Sequence, residues 1–575
     1  MDAAAERTGG MIDAVIIGAG FGGMYMLHCL RKLGFNAQVF EAGSDVGGTW
    51  YWNRYPGARC DIESMQYSYS FSEDLDQEWN WTEKYAPQAE ILSYAKHVAD
   101  RLDLRRDIKF NTRVRSTHFD EDCNQWTVTT DQGDKVKARF CIMAVGCLSA
   151  ANKPPFEGID DFSGSVYHTG EWPHEGVDFT GKRVAVIGTG SSAIQSIPLI
   201  AAQAGKLTVF QRTATYSVPA WNEAVDPAKA AKVKANYPDL RAKARARPTG
   251  FYFPFNMQPA LEVSPEERRT AYEEAWKRGG LPFLGAFGDL LFDKEANDTV
   301  ADFAREKIRA VVKDPKTAEL LCPDNVFGCK RLCVDTGYFE TYNLPHVKLV
   351  DVSKRPIERF TEKGVVANGI EHEMDAVVCA TGFAAMTGSF DRIDICGRNG
   401  LTLKEKWAGG ARTYLGLSTV GFPNFFMITG PGSPSVLAQM IQSIEQHVDW
   451  IADCIAHISD IGAETIEPML DAENTWVDHV NEVSEISLRS TCSSWYVGAN
   501  IPGTPRVFMP YIGGFPVYVQ KCNDVMTKGY EGFKINGDMP KAECPNIRQT
   551  ERWRVPLDIK VITPASLAAM RVPVV

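Results

Sequence analysis

The chain has 575 residues, of which 44% are hydrophobic and 23% are charged, and its formal net charge at pH 7 is −11. This length predicts two or more domains with sizeable cores. The acidic balance argues against a nucleic-acid partner and a basic membrane footprint, and no apolar run is long enough to predict a transmembrane span.

The 14 cysteines are scattered, without a CxxC pair or the spacing of zinc ligands. We expect them to be small buried residues in a reducing compartment, so that activity depends on neither a metal nor a disulfide. The acidic residues 1–11 lack the pattern of a signal peptide and are predicted to form a loose tail. These features predict a cytoplasmic protein.

The first predicted element is a βαβ unit over residues 12–45. An apolar run at 14–17 leads into a glycine-rich turn at 18–23 and then into a helix. Such a turn places a pyrophosphate on the amides of a helix N-terminus. Glu41 ends the next strand, where an acid accepts hydrogen bonds from a ribose 2′-hydroxyl and repels a 2′-phosphate. We interpret this unit as a site for FAD or NAD.

The next segments are predicted to be a loop and a set of antiparallel strands. Residues 46–75 are rich in glycine and aromatic residues, which predicts a long loop that lines a cofactor. Alternating patterns in 107–147 predict a hairpin across 131–133, followed by a separate buried strand at 140–146 that ends in a glycine turn.

A second βαβ unit is predicted over residues 182–218. An apolar run at 184–187 precedes a second glycine turn at 188–193, and Gln211 stands as far from Gly188 as Glu41 stands from Gly18. Arg212 follows, so this site accepts a 2′-phosphate and is interpreted as an NADP site. Two such units, each with a matched residue on its second strand, are strong evidence for an enzyme with two dinucleotides.

Residues 220–328 are predicted to be a helical insertion, because charged helical patterns are broken there by proline and glycine. Ser264 opens one helix with a capping box, and Val300 begins an apolar stripe on another. The basic cluster 229–247 is interpreted as a solvated helix face. Beyond the insertion, 376–382 repeats the strand and glycine pattern of 140–146, 423–427 predicts a strand and 441–458 predicts a helix.

The predicted fold is of the α/β class: two nested Rossmann-like dinucleotide-binding domains with a helical insertion in the second. The predicted divisions are an FAD-binding domain at 1–150 and 382–540, an NADP-binding domain at 151–219 and 330–381, the insertion at 220–329 and a C-terminal tail of unassigned role at 541–575.

Between the two glycine turns lies the segment 162–173, which reads Phe-Ser-Gly-Ser-Val-Tyr-His-Thr-Gly-Glu-Trp-Pro. It resembles the FxGxxxHxxxWP fingerprint of type I Baeyer–Villiger monooxygenases, and the match is complete. The resemblance extends over roughly residues 12–540 and includes 47–61, Lys330-Arg331, 380–383, 430–435 and Trp495. Ala384 departs from the family, in which many members carry aspartate, and we expect this to alter only the local loop.

The resemblance implies a cycle in which NADPH reduces FAD and the reduced flavin takes up O2 to give a flavin C4a-peroxide. The peroxide attacks a ketone carbonyl, and the adduct rearranges to an ester or lactone. The implied substrates are a ketone and O2, and the protein is expected to be a monomer or a weak homo-oligomer.

The resemblance also assigns roles to residues. Arg331 is the implied catalytic cation with Asp61 as its partner, His168 is implied to couple the domains, and no metal site is implied. The implied FAD contacts are Gly18, Gly20, Phe21, Gly23, Glu41, Gly48, Trp50, Tyr55, Asp61, Tyr67 and Met440. The implied NADP contacts are Gly188, Gly190, Ser191, Ser192, Gln195, Arg212, Thr213, Lys330, Arg331 and Trp495. The fingerprint residues are Phe162, Gly164, His168 and Trp172, and the implied substrate pocket contains Ser435, Val436, Leu437 and Trp495.

Three other classes share part of this pattern. A flavin monooxygenase that oxidises amines or sulfur has a shorter fingerprint without the ending Trp172-Pro173. A disulfide reductase needs a redox cysteine pair after the glycine turn at 47–49, where Trp50 stands instead. A flavin-binding protein without enzymatic activity needs no second dinucleotide site.

Overall fold

A computed structural model describes residues 11–253, 255–536 and 550–553. The expected loose tail at 1–11, except for Met11, and most of the C-terminal tail at 541–575 lie outside the described residues.

The helices, in chain order, are α1 (Phe21–Lys32), α2 (Thr49–Trp52), α3 (Glu73–Glu78), α4 (Gln88–Arg101), α5 (Ser191–Ala201), α6 (Pro227–Ala235), α7 (Tyr237–Arg245), α8 (Pro265–Arg278), α9 (Lys294–Val311), α10 (Pro315–Leu321), α11 (Tyr338–Thr341), α12 (Leu403–Lys406), α13 (Met440–Asp460), α14 (Leu470–Glu485) and α15 (Phe515–Thr527). The strands are β1 (Ile12–Ile17), β2 (Ala37–Phe40), β3 (Ile108–Lys109), β4 (Val114–Asp120), β5 (Gln125–Thr130), β6 (Lys135–Met143), β7 (Ser165–His168), β8 (Arg183–Ile187), β9 (Lys206–Gln211), β10 (Ser217–Pro219), β11 (Cys333–Asp335), β12 (Val347–Asp351), β13 (Arg359–Thr361), β14 (Gly364–Ala367), β15 (Ile370–Glu373), β16 (Ala376–Cys379), β17 (Asp394–Cys396), β18 (Phe425–Met427), β19 (Thr465–Pro468) and β20 (Phe533–Asn536).

The two largest sheets each contain a set of parallel strands, and the two sets share one strand order. In the first sheet the order is β3-β2-β1-β6, with β18 on the other side of β6. In the second the order is β12-β9-β8-β16-β7. In each sheet the strand before a glycine turn is therefore central, and its crevice opens at the carboxyl ends of the strands, where dinucleotides bind in this fold. The predicted α/β class with two Rossmann-like units is confirmed.

The first sheet is completed by segments that are distant in sequence. The predicted hairpin pairs β5 with β6 in antiparallel register, and β17 adds next to β4. The separate strand predicted at 140–146 is wrong, because β6 runs without interruption from Lys135 to Met143. Its first half alternates between exposed and buried residues and pairs with β5, whereas its second half is fully buried and pairs with β1 and β18.

The insertion is helical, as predicted, and contains α6 to α10. The predicted capping box at the start of α8 is present, since the Ser264 hydroxyl accepts from the Glu267 amide and the Glu267 side chain accepts from the Ser264 amide. The stripe on α9 is buried. Val300 and Phe303 pack in a core of the insertion, whereas Ile308 packs in the core of the second sheet. No helix among the described residues has the length and apolar character needed to span a bilayer.

Helix α13 carries buried carboxylates. Glu445, Asp449 and Asp453 are at most 3% exposed. The segment 550–553 docks on them: Arg552 Nε donates to Asp449 at 2.6 Å, and the Thr550 amide donates to Asp453 at 2.9 Å. A buried carboxylate is tolerated when hydrogen bonds and a cation compensate its lost hydration, so this short segment stabilises the core of the first domain.

We predict that Arg552→Ala lowers the free energy of unfolding of the flavin-binding half by about 3–5 kcal/mol, because it leaves Asp449 buried without its cation. Thermal unfolding followed by tryptophan fluorescence measures the change. The control is Arg106→Ala, since Arg106 is 61% exposed and pairs with the exposed Asp103; its loss is expected to cost less than about 1 kcal/mol. Equal midpoints for the two variants would contradict the prediction.

Candidate active site

A cavity of about 1440 Å³ runs between the two sheets. Its wall includes both glycine turns and much of the predicted cofactor-lining loop at 46–75. The residues with implied cofactor or substrate roles that line it are Gly18, Gly20, Phe21, Glu41, Gly48, Trp50, Tyr55, Asp61, Tyr67, Gly188, Gly190, Ser191, Ser192, Gln195, Arg212, Thr213, Lys330, Arg331, Val436, Leu437, Met440 and Trp495. The volume exceeds that of an ordinary small-molecule pocket, about 300–1000 Å³.

The two glycine turns have the same local geometry. Gly18 has φ +105° and Gly188 has φ +112°, both in the left-handed region. A Cβ on Gly18 would lie 2.6 Å from the Ala144 carbonyl oxygen, and one on Gly188 would lie 2.4 Å from that of Ala380. Ala144 and Ala380 directly follow β6 and β16, the strands that pair with β1 and β8. Only glycine fits where the chain of each turn crosses its neighbouring strand.

Both turns leave helix N-terminal amides available. Gly20 caps α1 and Gly190 caps α5, in each case without a side-chain hydrogen bond to the first turn. A Cβ built on Gly190 would have no heavy atom within 4 Å, so the space next to this turn is open. Free amides at the positive end of a helix dipole bind phosphate, so the structure provides two pyrophosphate cradles that face one cavity.

The residue that follows β2 is acidic and the residue that follows β9 is basic, as the sequence predicts. These residues are Glu41 and Arg212. Glu41 is 5% exposed, and its two oxygens accept from the amides of Ala19 and Gly43, each at 2.7 Å. Burial raises the pKa of Glu41, while these backbone hydrogen bonds lower it. Each carboxylate oxygen keeps a lone pair for a further donor, which suits the hydroxyls of a ribose.

The second site gathers positive charge. Arg212 is exposed at the cavity edge, and Lys330 lies in the same wall. Burial and then the positive charge of Arg212 lower the pKa of Lys330. An anion placed beside both side chains would relieve this repulsion, which is the electrostatic requirement of a 2′-phosphate site.

Arg331 and Asp61 form a two-pronged ion pair in the cavity wall. Arg331 Nε and Nη2 donate to the two oxygens of Asp61, each at 2.9 Å, and Nη1 donates to the Val436 carbonyl at 3.1 Å. Burial lowers the pKa of the Arg331 guanidinium, but the Asp61 carboxylate more than offsets this, so that the pKa lies above its usual value. The cation is permanently charged and fixed in direction, with 29% of its side chain exposed.

The connection between β18 and α13, residues 428–439, contributes the part of the cavity wall that lies against this pair. Val436 has φ +62°, which is strained for a β-branched residue. Its carbonyl accepts from Arg331, and its amide lies 3.2 Å from the Met440 sulfur. The sequence places Ser435 in the substrate pocket, but the structure places it behind the wall: it is 0% exposed, and its hydroxyl lies 2.5 Å from that of Ser433. The left-handed backbone of Val436 directs the side chain of the preceding Ser435 into the protein and away from the cavity.

Gln195 links the two halves of the site. Its Oε1 accepts from the Tyr55 hydroxyl at 2.8 Å, and its Nε2 donates to the Arg59 carbonyl at 3.0 Å. Gln195 is on α5 and the other two residues are on the loop at 46–75, so this side chain joins the implied NADP helix to the implied FAD loop. Residue types alone do not indicate this pairing.

The fingerprint residues support the wall and mostly lie outside the cavity. The His168 Nδ1 accepts from the Gly170 amide at 3.0 Å, and its Nε2 faces the Asn152 carbonyl at 3.1 Å. Burial lowers the pKa of His168, which favours the neutral ring that these contacts require. Trp172 reaches the cavity, and Phe162 packs against Phe360. These positions suit the domain-coupling role predicted for His168.

The structure places two apolar residues in the cavity wall and a disulfide close to it, and no sequence pattern indicates either feature. Phe251 and Leu281 line the cavity from the helical insertion, and single apolar residues in loops carry no signal of such a role. Cys329 and Cys492 form a disulfide. The expectation that the cysteines are only small buried residues is therefore wrong for this pair, whose Cα atoms lie 6.0 Å apart although 163 positions separate them in sequence. The expectation that activity does not depend on a disulfide stays a prediction. Eleven other cysteines among the described residues are free.

Two parallel sheets, each with a phosphate-binding turn at a shared cavity, define a flavoprotein-type oxidoreductase with two dinucleotide sites. A family model described as pyridine nucleotide-disulphide oxidoreductase matches residues 15–242. That description refers to this nested fold, since the loop after Gly48 lacks a cysteine pair and neither Cys329 nor Cys492 lines the cavity.

Comparison with individual proteins narrows the class. A Baeyer–Villiger monooxygenase of Pseudooceanicola batsensis is 44% identical over 529 residues, which cover 91% of this chain and 96% of the relative. A solved structure of oxidised steroid monooxygenase bound to NADP is 55% identical, with a TM-score of 0.88 over 92% of this chain and 99% of the other. The closed structure of cyclohexanone monooxygenase is 43% identical, with a TM-score of 0.90 over 92% and 100%. This chain belongs to the Baeyer–Villiger monooxygenases.

We predict that Glu41 controls flavin retention. Glu41→Gln is expected to weaken FAD binding roughly tenfold to a hundredfold, because hydrogen bonds to a charged group contribute about 1.5–3 kcal/mol. Glu41→Arg is expected to be purified without flavin. FAD titration followed by flavin fluorescence measures both, and Glu274→Gln on the exposed face of α8 is the matched control. FAD affinity that is indifferent to Glu41→Arg would contradict this role.

We predict at least tenfold specificity for NADPH over NADH, about 1.4 kcal/mol, because Arg212 and Lys330 attract a 2′-phosphate. Arg212→Ala is expected to raise the KM for NADPH much more than the KM for NADH. Lys206→Ala, at the opposite end of β9, is the control that should change neither. Equal use of both coenzymes by the unmodified protein would contradict the prediction.

Proposed function

We propose that this chain inserts one oxygen atom of O2 next to a ketone carbonyl to give an ester or lactone, with NADPH as reductant and FAD as the bound flavin. Membership of the Baeyer–Villiger monooxygenases supports the reaction class. The observation that carries the proposal is Arg331, held by Asp61 at the junction of both dinucleotide cradles.

The residues present fit both cofactors. Free amides before α1 and α5 suit two pyrophosphates, Glu41 suits a ribose, and the paired cations Arg212 and Lys330 suit a 2′-phosphate. The flavin, when bound, supplies the redox chemistry and the activated oxygen. The protein supplies binding, orientation and electrostatic stabilisation.

Arg331 is the proposed catalytic cation. Oxygen insertion passes through an oxyanion at the former carbonyl oxygen, and a fixed donor in a site shielded from water stabilises such a charge. The exposed part of the guanidinium faces the cavity, and the three hydrogen bonds to Asp61 and Val436 hold its plane. We propose that Asp61 orients Arg331 and that Val436, Leu437 and Trp495 bound the substrate.

We also propose the domain division given by the sequence, which is supported by β17 and β18 joining the first sheet and by β7 and β16 joining the second. A cytoplasmic location is supported by the free cysteines, which suit a reducing compartment. The expectation of a monomer or weak homo-oligomer stays a prediction.

Product analysis tests the reaction class. The holoenzyme is incubated with NADPH and a panel of linear, cyclic, aromatic and steroid ketones, and the products are identified by mass spectrometry with ¹⁸O2. The expected result is an ester or lactone that contains one labelled oxygen. Oxygenation of amines or sulfides in the same panel, with no ketone product, would favour the other flavin monooxygenases.

We predict that Arg331→Ala retains FAD but loses oxygenation roughly a hundredfold or more, the usual effect of removing a charge-stabilising donor. Arg331→Lys is expected to rescue poorly, because an ammonium lacks the planar fork that binds Asp61. Asp61→Ala is expected to act in the same direction but less strongly. Stopped-flow spectra separate flavin reduction, which should persist, from product formation.

The matched control for Arg331 is Arg183, which makes a similar two-pronged pair with Asp375 on the exposed surface of the second sheet. Arg183→Ala should leave ester formation unchanged. An Arg331→Ala enzyme that forms ester at the unmodified rate would remove this residue from the mechanism.

A further inference from the structure

The disulfide joins two loops that form facing parts of the cavity wall. Cys329 lies in the connection from α10 to β11, here named the arginine loop (residues 322–332), directly before Lys330 and Arg331. Cys492 lies in the connection from α14 to α15, here named the tryptophan loop (residues 486–514), three positions before Trp495. Ser493, Ser494 and Trp495 line the cavity. The bond therefore limits the distance between Lys330, an implied NADP contact, and Trp495, another implied contact of the same site.

Few other contacts hold the tryptophan loop to the arginine loop. Arg489 Nε donates to the Gly328 carbonyl at 3.1 Å. After Cys492 the loop turns to the flavin-binding half: Asn500 donates to the Phe383 carbonyl at 2.7 Å, and Tyr511 donates through its amide to Ser433 at 2.7 Å. The disulfide is thus the covalent link nearest to Trp495, and without it this segment is held chiefly from the other half of the molecule.

Cys492 lies nearer to solvent than Cys329. Cys329 is 0% exposed, whereas Cys492 is 9% exposed and stands between the exposed residues Thr491 and Ser493. A small thiolate approaching from solvent reaches Cys492 first. Because the free cysteines of the described residues suggest a reducing compartment, such reagents belong to the surroundings in which the protein is expected to work.

We propose that Cys329 and Cys492 form a thiol–disulfide exchange site whose redox state sets the affinity of the enzyme for NADP(H). A dithiol reductant is the reacting partner. Its thiolate attacks Cys492 Sγ, the sulfur–sulfur bond breaks, and Cys329 leaves as a thiolate that takes a proton. The second thiol of the reagent then attacks the mixed disulfide and releases Cys492. The protein gains two electrons and two protons, and the reagent becomes a disulfide; a disulfide oxidant reverses each step.

The physical basis of the effect is the tether. With the bond closed, Trp495 is kept in the same cavity wall as Lys330 and Arg331, so the tryptophan loop is already ordered before the nucleotide binds. With the bond open, the nucleotide must order that loop itself and binds less tightly. Linkage makes the effect reciprocal: a nucleotide that prefers the closed form must also favour the disulfide by the same factor. This inference rests on the proposed NADP site.

The test uses the full-length holoenzyme without turnover. The protein is equilibrated anaerobically in buffers of fixed ratio of reduced to oxidised dithiothreitol, with and without saturating NADP⁺. It is then quenched with acid and alkylated, and the peptides that contain Cys329 and Cys492 are quantified by mass spectrometry. NADP⁺ is expected to shift the ratio at half-reduction at least about fivefold in favour of the disulfide, the lower end of ordinary coupling between sites. An unchanged ratio would overturn the proposal.

A binding measurement gives the effect of the disulfide on NADP⁺ affinity, and cysteine variants show whether Cys329 and Cys492 cause it. The dissociation constant of NADP⁺, measured by titration calorimetry, is expected to be larger for the reduced protein by the same factor. The double variant Cys329→Ser with Cys492→Ser should match the reduced form and should not respond to dithiothreitol, whereas Cys123→Ser, which removes an exposed free thiol, should respond fully. If the double variant does not fold, the reduced and oxidised unmodified protein still supply the comparison.

The outcomes separate the two proposals. Tight NADP⁺ binding that is equal in the oxidised and reduced protein overturns the exchange site and leaves the proposed function intact. Absence of NADP⁺ binding in both forms overturns the proposed NADP site and, with it, this inference. A response to dithiothreitol that persists in the double variant would assign the effect to other cysteines and overturn the proposal.

Discussion

The buried ion pair between Arg331 and Asp61 is the interaction on which the site depends. A guanidinium removed from water is tolerated only when a carboxylate and further acceptors replace its hydration. Here Asp61 and the Val436 carbonyl satisfy it, and they come from the flavin loop and from the β18–α13 connection. One cation thus ties three segments together. If any of these segments moves away, the Arg331 guanidinium or the Asp61 carboxylate loses its partner. The same requirement therefore sets the geometry of the cavity and the direction of the guanidinium, which is the proposed catalytic charge.

The two glycine turns provide a second constraint, which explains why the cofactor sites face one another. In each sheet the turn crosses the end of the neighbouring strand, β6 or β16, and the space for a Cβ is taken by a carbonyl oxygen, of Ala144 or of Ala380. The helix that begins after each turn therefore presents its first amides at the carboxyl edge of the sheet. Gln195 on α5 then contacts Tyr55 and Arg59. Helix α5 is thereby joined to the loop at 46–75 beside the cavity.

Local patterns made most of the fold predictable. A strand, a glycine turn and an acid or arginine at fixed spacing need only neighbouring residues, and the capping box at Ser264 is closed within one turn of helix. The predictions that failed concern features that depend on residues distant in the sequence. β6 is continuous because β5, β1 and β18 pair with its successive parts. Ser435 is inward because of the backbone at Val436, and Cys329 meets Cys492 across 163 residues. Phe251 and Leu281 line the cavity because the insertion packs against it. The types of these two residues alone do not predict this packing.

The tryptophan loop faces two opposing requirements. A charged intermediate needs a site closed to water, since the stabilisation supplied by Arg331 weakens as the local dielectric rises. A coenzyme that is consumed in each cycle needs a site that opens. The loop meets the first requirement by lying against the arginine loop, with Trp495 on the cavity wall and the Arg489 side chain on Gly328. It meets the second because its remaining hydrogen bonds, through Asn500 and Tyr511, hold it to the flavin half. We therefore expect the loop to release the coenzyme without disturbing the flavin, so that the proposed exchange at Cys492 would act on coenzyme binding while the geometry around FAD is preserved.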